Sequence, residues 1–495
     1  MIKIGKEIVR QQENFWSNCL FHPTDAVEDP WGKRILDRMA EDRAVKTVRI
    51  YTMFEDIVYL DEEDRLQFDF RVSDLRLDYL LEQGYELLLA YAGMPDCIAA
   101  STANKTNVSK NKTRYKGKMF NTSPPREDSL WEEICYRYTL HNVERYGIDR
   151  VSRWRCQCFN EPDISMFFLS ELPSDRVQPR VEAYCRMYAA FERGIRRVSD
   201  RIPIGGPALA GKHEFLAGWL DFVKGKRLKL DFVSLHNYGT TPSRLLREGR
   251  VTVENNLEKH RDYLEVLEAH GFGQLPVVVD EWGLASGGFM NMEECPGLMR
   301  RETEVFSAYY VKLIHGFLRM EKMIAGLFIC LSGQHEMLRD FTGFRNFFTL
   351  NFIAKPIYNA HILASRLYTG LLPAETDRNE LAVIPTRNDR GDYAVLLAYA
   401  SEYFEEDIPD IVEKIEFGEN ITGSTVTLWA IDRDSTNPYR LFEKMAVEDP
   451  DREQLKLLRE EGKLKPVYQG ICRGDGLPEM TLKANGVYLL TLRKE

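Results

Sequence analysis

Glu161 closes the run Cys158-Phe159-Asn160-Glu161, and Glu281 closes the run Val277-Val278-Val279-Asp280-Glu281; each caps a short apolar stretch. Two carboxyl groups facing each other across a substrate can divide one task. One stays protonated and gives its proton to a leaving oxygen, and the other stays ionised. Hydrolysis of a glycosidic bond needs this pair. Two nearby carboxyls repel when both are charged, which raises one pKa and sets the roles apart. No other pair in the chain is framed in this way.

Such groups need a scaffold that brings distant residues to one face. Short apolar runs alternate with longer segments of helical period, the pattern of repeated strand-helix units and a parallel sheet. Eight runs read as strands: Phe15–Phe21, Thr47–Tyr51, Glu86–Tyr91, Trp154–Phe159, Ile202–Gly205, Phe232–His236, Val277–Asp280 and Gly326–Leu331. Helices read between them include Pro30–Asp42, Val72–Gln83, Ser129–Tyr146, Val177–Val198, Phe215–Gly225, Val253–His270 and Arg300–Met320. The expected fold is α/β, a (β/α)8 TIM barrel over residues 15–355, with catalytic groups at the C-terminal ends of its strands. Those ends are polar: Arg49-Ile50-Tyr51 on the second, Asn160-Glu161 on the fourth, His236-Asn237-Tyr238 on the sixth and Glu281-Trp282 on the seventh. Both carboxylates would then open on the same mouth.

Beyond Pro356 the pattern changes. The segments Leu381–Pro385, Tyr393–Ala400, Val412–Phe417, Thr425–Ile431 and Val487–Arg493 read as strands, the first two joined by the turn Asn388-Asp389-Arg390-Gly391-Asp392. Residues 356–495 are therefore expected to form an antiparallel β-sandwich, interrupted by a charged helical insertion from Pro438 to Gly462. Residues 1–14 are candidates for an additional edge strand.

With 495 residues and a formal charge of −10, the chain has the size of a large domain plus a smaller one and a balance that repels nucleic acid. No stretch approaches the length of a membrane span, and Met-Ile-Lys-Ile-Gly-Lys-Glu-Ile-Val-Arg lacks the apolar core of a signal peptide. A cytoplasmic location is expected. The nine cysteines follow no metal-ligand spacing and read as reduced, buried thiols. Two carboxylates can supply acid, base and nucleophile, so no metal or organic cofactor is expected. The partner should be an oligosaccharide or other glycoside; a homo-oligomer is compatible with this.

Asn160-Glu161-Pro162 followed by a strand-end Glu281 resembles clan A of the retaining glycoside hydrolases. Further segments narrow the resemblance to glycoside hydrolase family 39, typified by β-xylosidases and α-L-iduronidases. They are Tyr91-Ala92-Gly93-Met94-Pro95, Arg145-Tyr146-Gly147, Gly205-Gly206-Pro207-Ala208, Asp231–Tyr238 and Lys355-Pro356-Ile357-Tyr358-Asn359-Ala360. The resemblance implies that Glu161 is the acid/base and Glu281 the nucleophile that forms a covalent glycosyl-enzyme. Retention then requires their oxygens to lie about 5–5.5 Å apart. It also implies that Asn160 reaches the sugar's 2-hydroxyl and that Arg49 and Tyr238 hold Glu281 ionised and aimed. His236 is a further substrate or acid-orienting contact, and Trp282 is a candidate for either a sugar-stacking platform or wall packing.

Three positions depart from the family pattern. Phe159 stands where Trp is usual, Tyr51 stands where a His is common, and Ile329 stands where a platform Trp is expected. The last two bear on the sugar, and Glu336 just beyond is a candidate hydroxyl contact. The stretch from Pro95 to Pro124 carries Lys105, Lys110, Lys112, Arg114, Lys116 and Lys118 with no acid after Asp96. It would attract an anionic glycan if it covered the mouth. The expected activity is removal of a terminal sugar with retention, β-xyloside first. The alternatives are an α-L-arabinofuranoside, a β-galactoside or an α-L-iduronide, or a carbohydrate-binding barrel without catalysis.

Overall fold

The computed structural model describes residues 1–106, 119–288, 290–320, 322, 324–473, 477 and 479–494. Its centre is a closed barrel of eight strands, all neighbouring pairs parallel. In chain order these are β1 (Asn18–Phe21), β2 (Thr47–Tyr51), β3 (Glu86–Tyr91), β4 (Arg155–Cys158), β5 (Ile204–Leu209), β6 (Phe232–Tyr238), β7 (Val277–Gly283) and β8 (Ile324–Leu331). Every apolar run read as a barrel strand is one. The reason is burial on both faces, which makes parallel strands continuous apolar runs rather than alternating ones.

Helices α1 (Pro30–Glu41), α2 (Arg71–Glu82), α3 (Asp128–Tyr146), α4 (Val177–Arg196), α5 (His213–Lys226), α6 (Glu254–Ala269) and α7 (Glu304–Leu318) surround the barrel. Inward residues such as Leu88, Phe232, Val278 and Phe328 form a small interior plug. Outward residues such as Val48, Leu89, Val233 and Val279 join the helices in one large core. Helix α8 (Pro356–Ser365) closes the ring. Its His361 stacks on Tyr310 of α7 at 4.0 Å, and its Tyr358 hydroxyl donates to Arg38 O of α1 at 3.0 Å. The barrel therefore extends through this helix rather than stopping at residue 355.

The second region is built on a seven-stranded antiparallel sheet. Its main strands are β9 (Leu381–Arg387), β10 (Tyr393–Tyr399), β11 (Thr425–Ile431), β12 (Pro466–Ile471) and β13 (Gly486–Arg493), in the order β9-β10-β13-β11-β12. A second layer of short strands covers one face, and Ile2, Ile4, Val395, Leu397, Ile415 and Leu490 fill the space between. The N-terminal segment belongs to this region. Ile2–Ile4 pairs parallel with Ile415–Phe417 and antiparallel with Ala374–Glu375, while Arg10–Gln11 pairs with Gly370–Leu371. The insertion forms two helices, Pro438–Met445 and Arg452–Glu461. Tyr439 and Leu458 from them pack on Phe341 and Ile353, so the second region braces the segment that follows β8.

Among the described residues no helix is long and apolar enough to cross a membrane. All nine cysteines are free thiols, and all but Cys97 are buried.

Candidate active site

The C-terminal ends of the strands surround a cavity of about 420 Å³. Glu161 enters it from the turn after β4, where Phe159 (φ 62°) and Glu161 (φ 44°) both adopt the left-handed region. Non-glycine residues rarely do so, and two such bends in three residues turn Asn160 and Glu161 together toward the cavity. The turn is clamped from outside. The buried Asp163 carboxylate accepts the backbone N–H groups of Ala210, Gly211 and Lys212 at 2.9, 2.8 and 3.0 Å, just before α5.

Glu281 reaches the cavity by a break in strand register. Val279 pairs with Leu235, but Glu281 rather than Asp280 pairs with His236, so β7 carries one extra residue opposite β6. Such a bulge re-aims a side chain. Asp280 faces inward in step with Val278, and Glu281 faces the same interior one residue later. Strict alternation would have sent Glu281 into the helix layer.

Arg49, fully buried, ties these groups together. Its Nη1 donates to Glu281 Oε1 at 2.8 Å, its Nη2 to Asn160 Oδ1 at 2.7 Å, and its Nε lies 3.1 Å from Asp280 Oδ2. Because the Asn160 oxygen is occupied in this way, its amide NH2 is left to face the cavity. Tyr238 donates to Glu281 Oε2 at 2.8 Å and Tyr51 to Oε1 at 3.2 Å. His236 Nδ1 lies 2.6 Å from Glu161 Oε1, while its Nε2 faces Asp280 Oδ2 at 3.7 Å and Glu281 Oε1 at 3.6 Å. One oxygen of Glu161, a ring nitrogen of His236 and one oxygen of Glu281 all lie within 4.8 Å of one another.

These neighbours push the two carboxyls in opposite directions. Burial works against charge on Glu281, but His236, Arg49 and Arg345, with the Tyr238 hydroxyl, outweigh it and take its pKa to about 2. Burial also raises Glu161; His236 opposes this, the charges of Glu281 and Asp163 add to it, and the balance stays above the usual carboxylate value. Burial would lower His236, yet Glu281, Asp280 and Glu161 raise it to about 10, so it is an imidazolium. The site thus holds one firmly ionised carboxylate beside one that keeps its proton more readily than an ordinary carboxyl.

The structure brings together Glu161, Glu281, Asn160, Arg49, Tyr51, His236 and Tyr238. It does not bring in Trp282. Once the bulge has turned Glu281 inward, alternation turns Trp282 outward, where it is 0% exposed and stacks on Tyr310 of α7 at 5.4 Å. It is a packing residue rather than a sugar platform. Ile329 pairs with Trp282 across β7 and β8 and is 2% exposed in the same outer core. The side chain at position 329 therefore leaves the cavity shape unchanged; Cys330 and Leu331 line the wall instead. Glu336 falls in the short turn Gln334–Glu336, and its side chain lies outside the described residues. So do Lys110, Lys112, Arg114, Lys116 and Lys118; Lys105 is described and pairs with Asp96.

Three residues join the site that the sequence reading did not single out. Asp163 and Asp280 stand inside the two runs that carry the glutamates, so adjacency was their signal. Arg345 comes from the segment after β8 with no strand to announce it. Its Nη1 donates to the Tyr238 hydroxyl at 2.7 Å and its Nε to Ser332 Oγ at 3.1 Å. It lines the cavity, and no carboxylate among the described residues lies within ion-pair distance of it.

Comparison with known proteins agrees with this architecture. A β-xylosidase from Caldicellulosiruptor saccharolyticus is 26% identical over 57% of this chain and 54% of its own length. An α-L-iduronidase from Canis lupus familiaris is 27% identical over 26% of this chain and 21% of its own. The chain spans about half the length of these β-xylosidases. A monomeric β-xylosidase from Caulobacter crescentus CB15 has the same fold, with a TM-score of 0.83 at 17% identity over 99% of both chains. A bacterial orthologue of human α-L-iduronidase superposes with a TM-score of 0.78 at 16% identity, over 100% of this chain and 84% of that one. The model of the glycosyl hydrolases family 39 matches residues 1–471, and the chain belongs to that family.

Proposed function

We propose that the protein is a retaining glycoside hydrolase that releases a terminal sugar by double displacement. The observation that carries this reading is the distance between its carboxyls. Oxygens of Glu161 and Glu281 within 4.8 Å leave no room for a water between carboxylate and sugar, as inversion requires at about 6.5–9.5 Å. Glu281, ionised and aimed by Arg49, Tyr51 and Tyr238, attacks the anomeric carbon. Glu161 gives its proton to the leaving oxygen as that bond breaks, and a glycosyl ester forms on Glu281. Glu161, now ionised and stabilised by the imidazolium of His236, takes a proton from water as the water oxygen attacks the anomeric carbon, which frees Glu281 as a carboxylate and leaves Glu161 protonated for the next turnover. Asn160, held by Arg49, offers its amide to the 2-hydroxyl, where charge development in the transition state strengthens the bond. No step calls for a metal.

A β-xyloside is the first substrate to test, in keeping with the β-xylosidases among the relatives. A second reading has its own support. Arg345 places a guanidinium in the cavity wall with hydroxyl partners and, among the described residues, no carboxylate within ion-pair distance, and a planar fork of this kind matches a carboxylate in two-point contact. An α-L-iduronide or other uronide would supply one. The deciding experiment is a screen of aryl glycosides that includes a β-xyloside and an α-L-iduronide, with the first-formed anomer followed by NMR. An inverted product would sink the retaining mechanism. Preference for the uronide, lost in Arg345→Gln, would replace the xyloside by the second reading.

A further inference from the structure

The cavity is chemically divided. Its polar and charged groups gather at the ends of β6 and β7 and after β8, with Tyr238, Glu281, Ser286, Ser332 and Arg345 around Cys330 and Leu331, and at the ends of β1 and β2, with His22, Asp25 and Tyr51. Across the mouth, the segments after β3 and β4 contribute Met94, Phe120, Phe159, Ile164, Met166 and Phe167. Glu161 stands in this second wall, and its proton goes to the leaving group. The sugar held by Glu281 therefore lies toward the polar wall, and what the sugar is attached to lies toward the apolar one.

The apolar wall is built rather than accidental. Phe159 packs on the buried Phe168 at 5.4 Å. The turn carrying Ile164, Met166 and Phe167 is tied to the strand carrying Phe120, for Leu169 N donates to Thr122 O at 2.7 Å and the Thr122 and Ser170 hydroxyls bond at 2.7 Å. The Asn121 amide beside Phe120 is committed to Asp96 and Ser101 O at 2.9 Å each. Met166, 51% exposed, carries this apolar lining out to the rim. No tryptophan lines the cavity among the described residues. A second sugar ring needs hydroxyl partners and a flat platform; this wall offers adaptable thioether and phenyl surface instead.

We infer that the leaving-group side of the site takes an apolar aglycone, an alkyl or aryl alcohol, in preference to a second sugar. This rests on the glycosidase reading for the direction of the leaving group. Binding of three uncleavable probes, methyl and hexyl 1-thio-β-D-xyloside and S-linked xylobiose, measured by calorimetry on the full chain, tests it apart from turnover. Five added methylenes should tighten binding about tenfold or more, well below the gain from their full burial. The hexyl-to-methyl ratio should fall toward one in Met166→Gln and in Phe167→Ser. Equal binding of hexyl and methyl probes, no measurable hexyl binding, or tighter binding of S-linked xylobiose would each overturn the inference. Hydrolysis of aryl glycosides is read separately. Its absence with hexyl preference intact would sink the hydrolase reading and leave the apolar subsite standing, whereas turnover without that preference does the reverse.

Discussion

Glu161 and Glu281 are the same side chain in two surroundings. Glu281 receives three donors, from Arg49, Tyr51 and Tyr238, at 2.8, 3.2 and 2.8 Å, and its pKa falls to about 2. Among the described residues Glu161 has one side-chain hydrogen-bond partner, His236 at 2.6 Å, and burial keeps its pKa above the usual range. Both are deep in the barrel, so burial alone does not separate them. The number and charge of the donors do, and that number follows from where each strand end points. The extra residue in β7 swings Glu281 over Arg49 and Tyr238, while the left-handed turn after β4 presents Glu161 to His236.

The contrast can be broken most severely at Glu281. Glu281→Gln should abolish turnover of every glycoside, because an amide cannot form the glycosyl ester; steady-state assays against the wild type decide this. Glu161→Gln should be selective instead. With an alkyl leaving group kcat/KM should fall by about 10²–10⁴, the range for a lost general acid. With a dinitrophenyl leaving group, which departs unaided, the first step should hardly change. A uniform loss across leaving groups would show that Glu161 is not the acid.

Weaker changes sharpen the comparison. Tyr238→Phe removes a hydrogen bond to a charged oxygen, worth about 1.5–3 kcal/mol, so kcat/KM should drop roughly ten- to a hundredfold. The loss should appear mostly in kcat if the bond serves the attacking carboxylate. His236→Asn should act on both carboxyls at once. The imidazolium lowers the pKa of each, so removing it raises both, and both limbs of the kcat/KM profile should move to higher pH. Movement of one limb only would mean that His236 serves a single carboxylate.

Much of this was legible in the sequence. Parallel strands buried on both faces are continuous apolar runs, so the barrel strands and the polar residues closing them could be read directly. What could not be read is register. The bulge at Asp280 has no composition signal, and it is what turns Trp282 outward; Ile329, taken for a cavity position from the family pattern, faces outward by the ordinary alternation of β8 beside the inward Phe328. Arg345 was invisible for another reason. Its place depends on tertiary packing: Arg301 donates to Gly343 O at 3.1 Å, Lys355 to Glu302 at 2.7 Å and to Phe344 O at 2.9 Å, and the helical insertion packs against Phe341. Strand β12 escaped because it is an edge strand with nearly every residue exposed, which leaves no apolar period.

The central claim is that Glu281, and not Glu161, becomes covalently attached to the sugar. Incubation with a 2-deoxy-2-fluoro glycoside of the sugar that is turned over, followed by proteolysis and peptide mass spectrometry, tests this directly. The account predicts one glycosyl group on the peptide containing Glu281, formed more slowly or not at all in Tyr238→Phe. A label on the Glu161 peptide, or steady turnover of the parent glycoside with no labelled peptide, would contradict it.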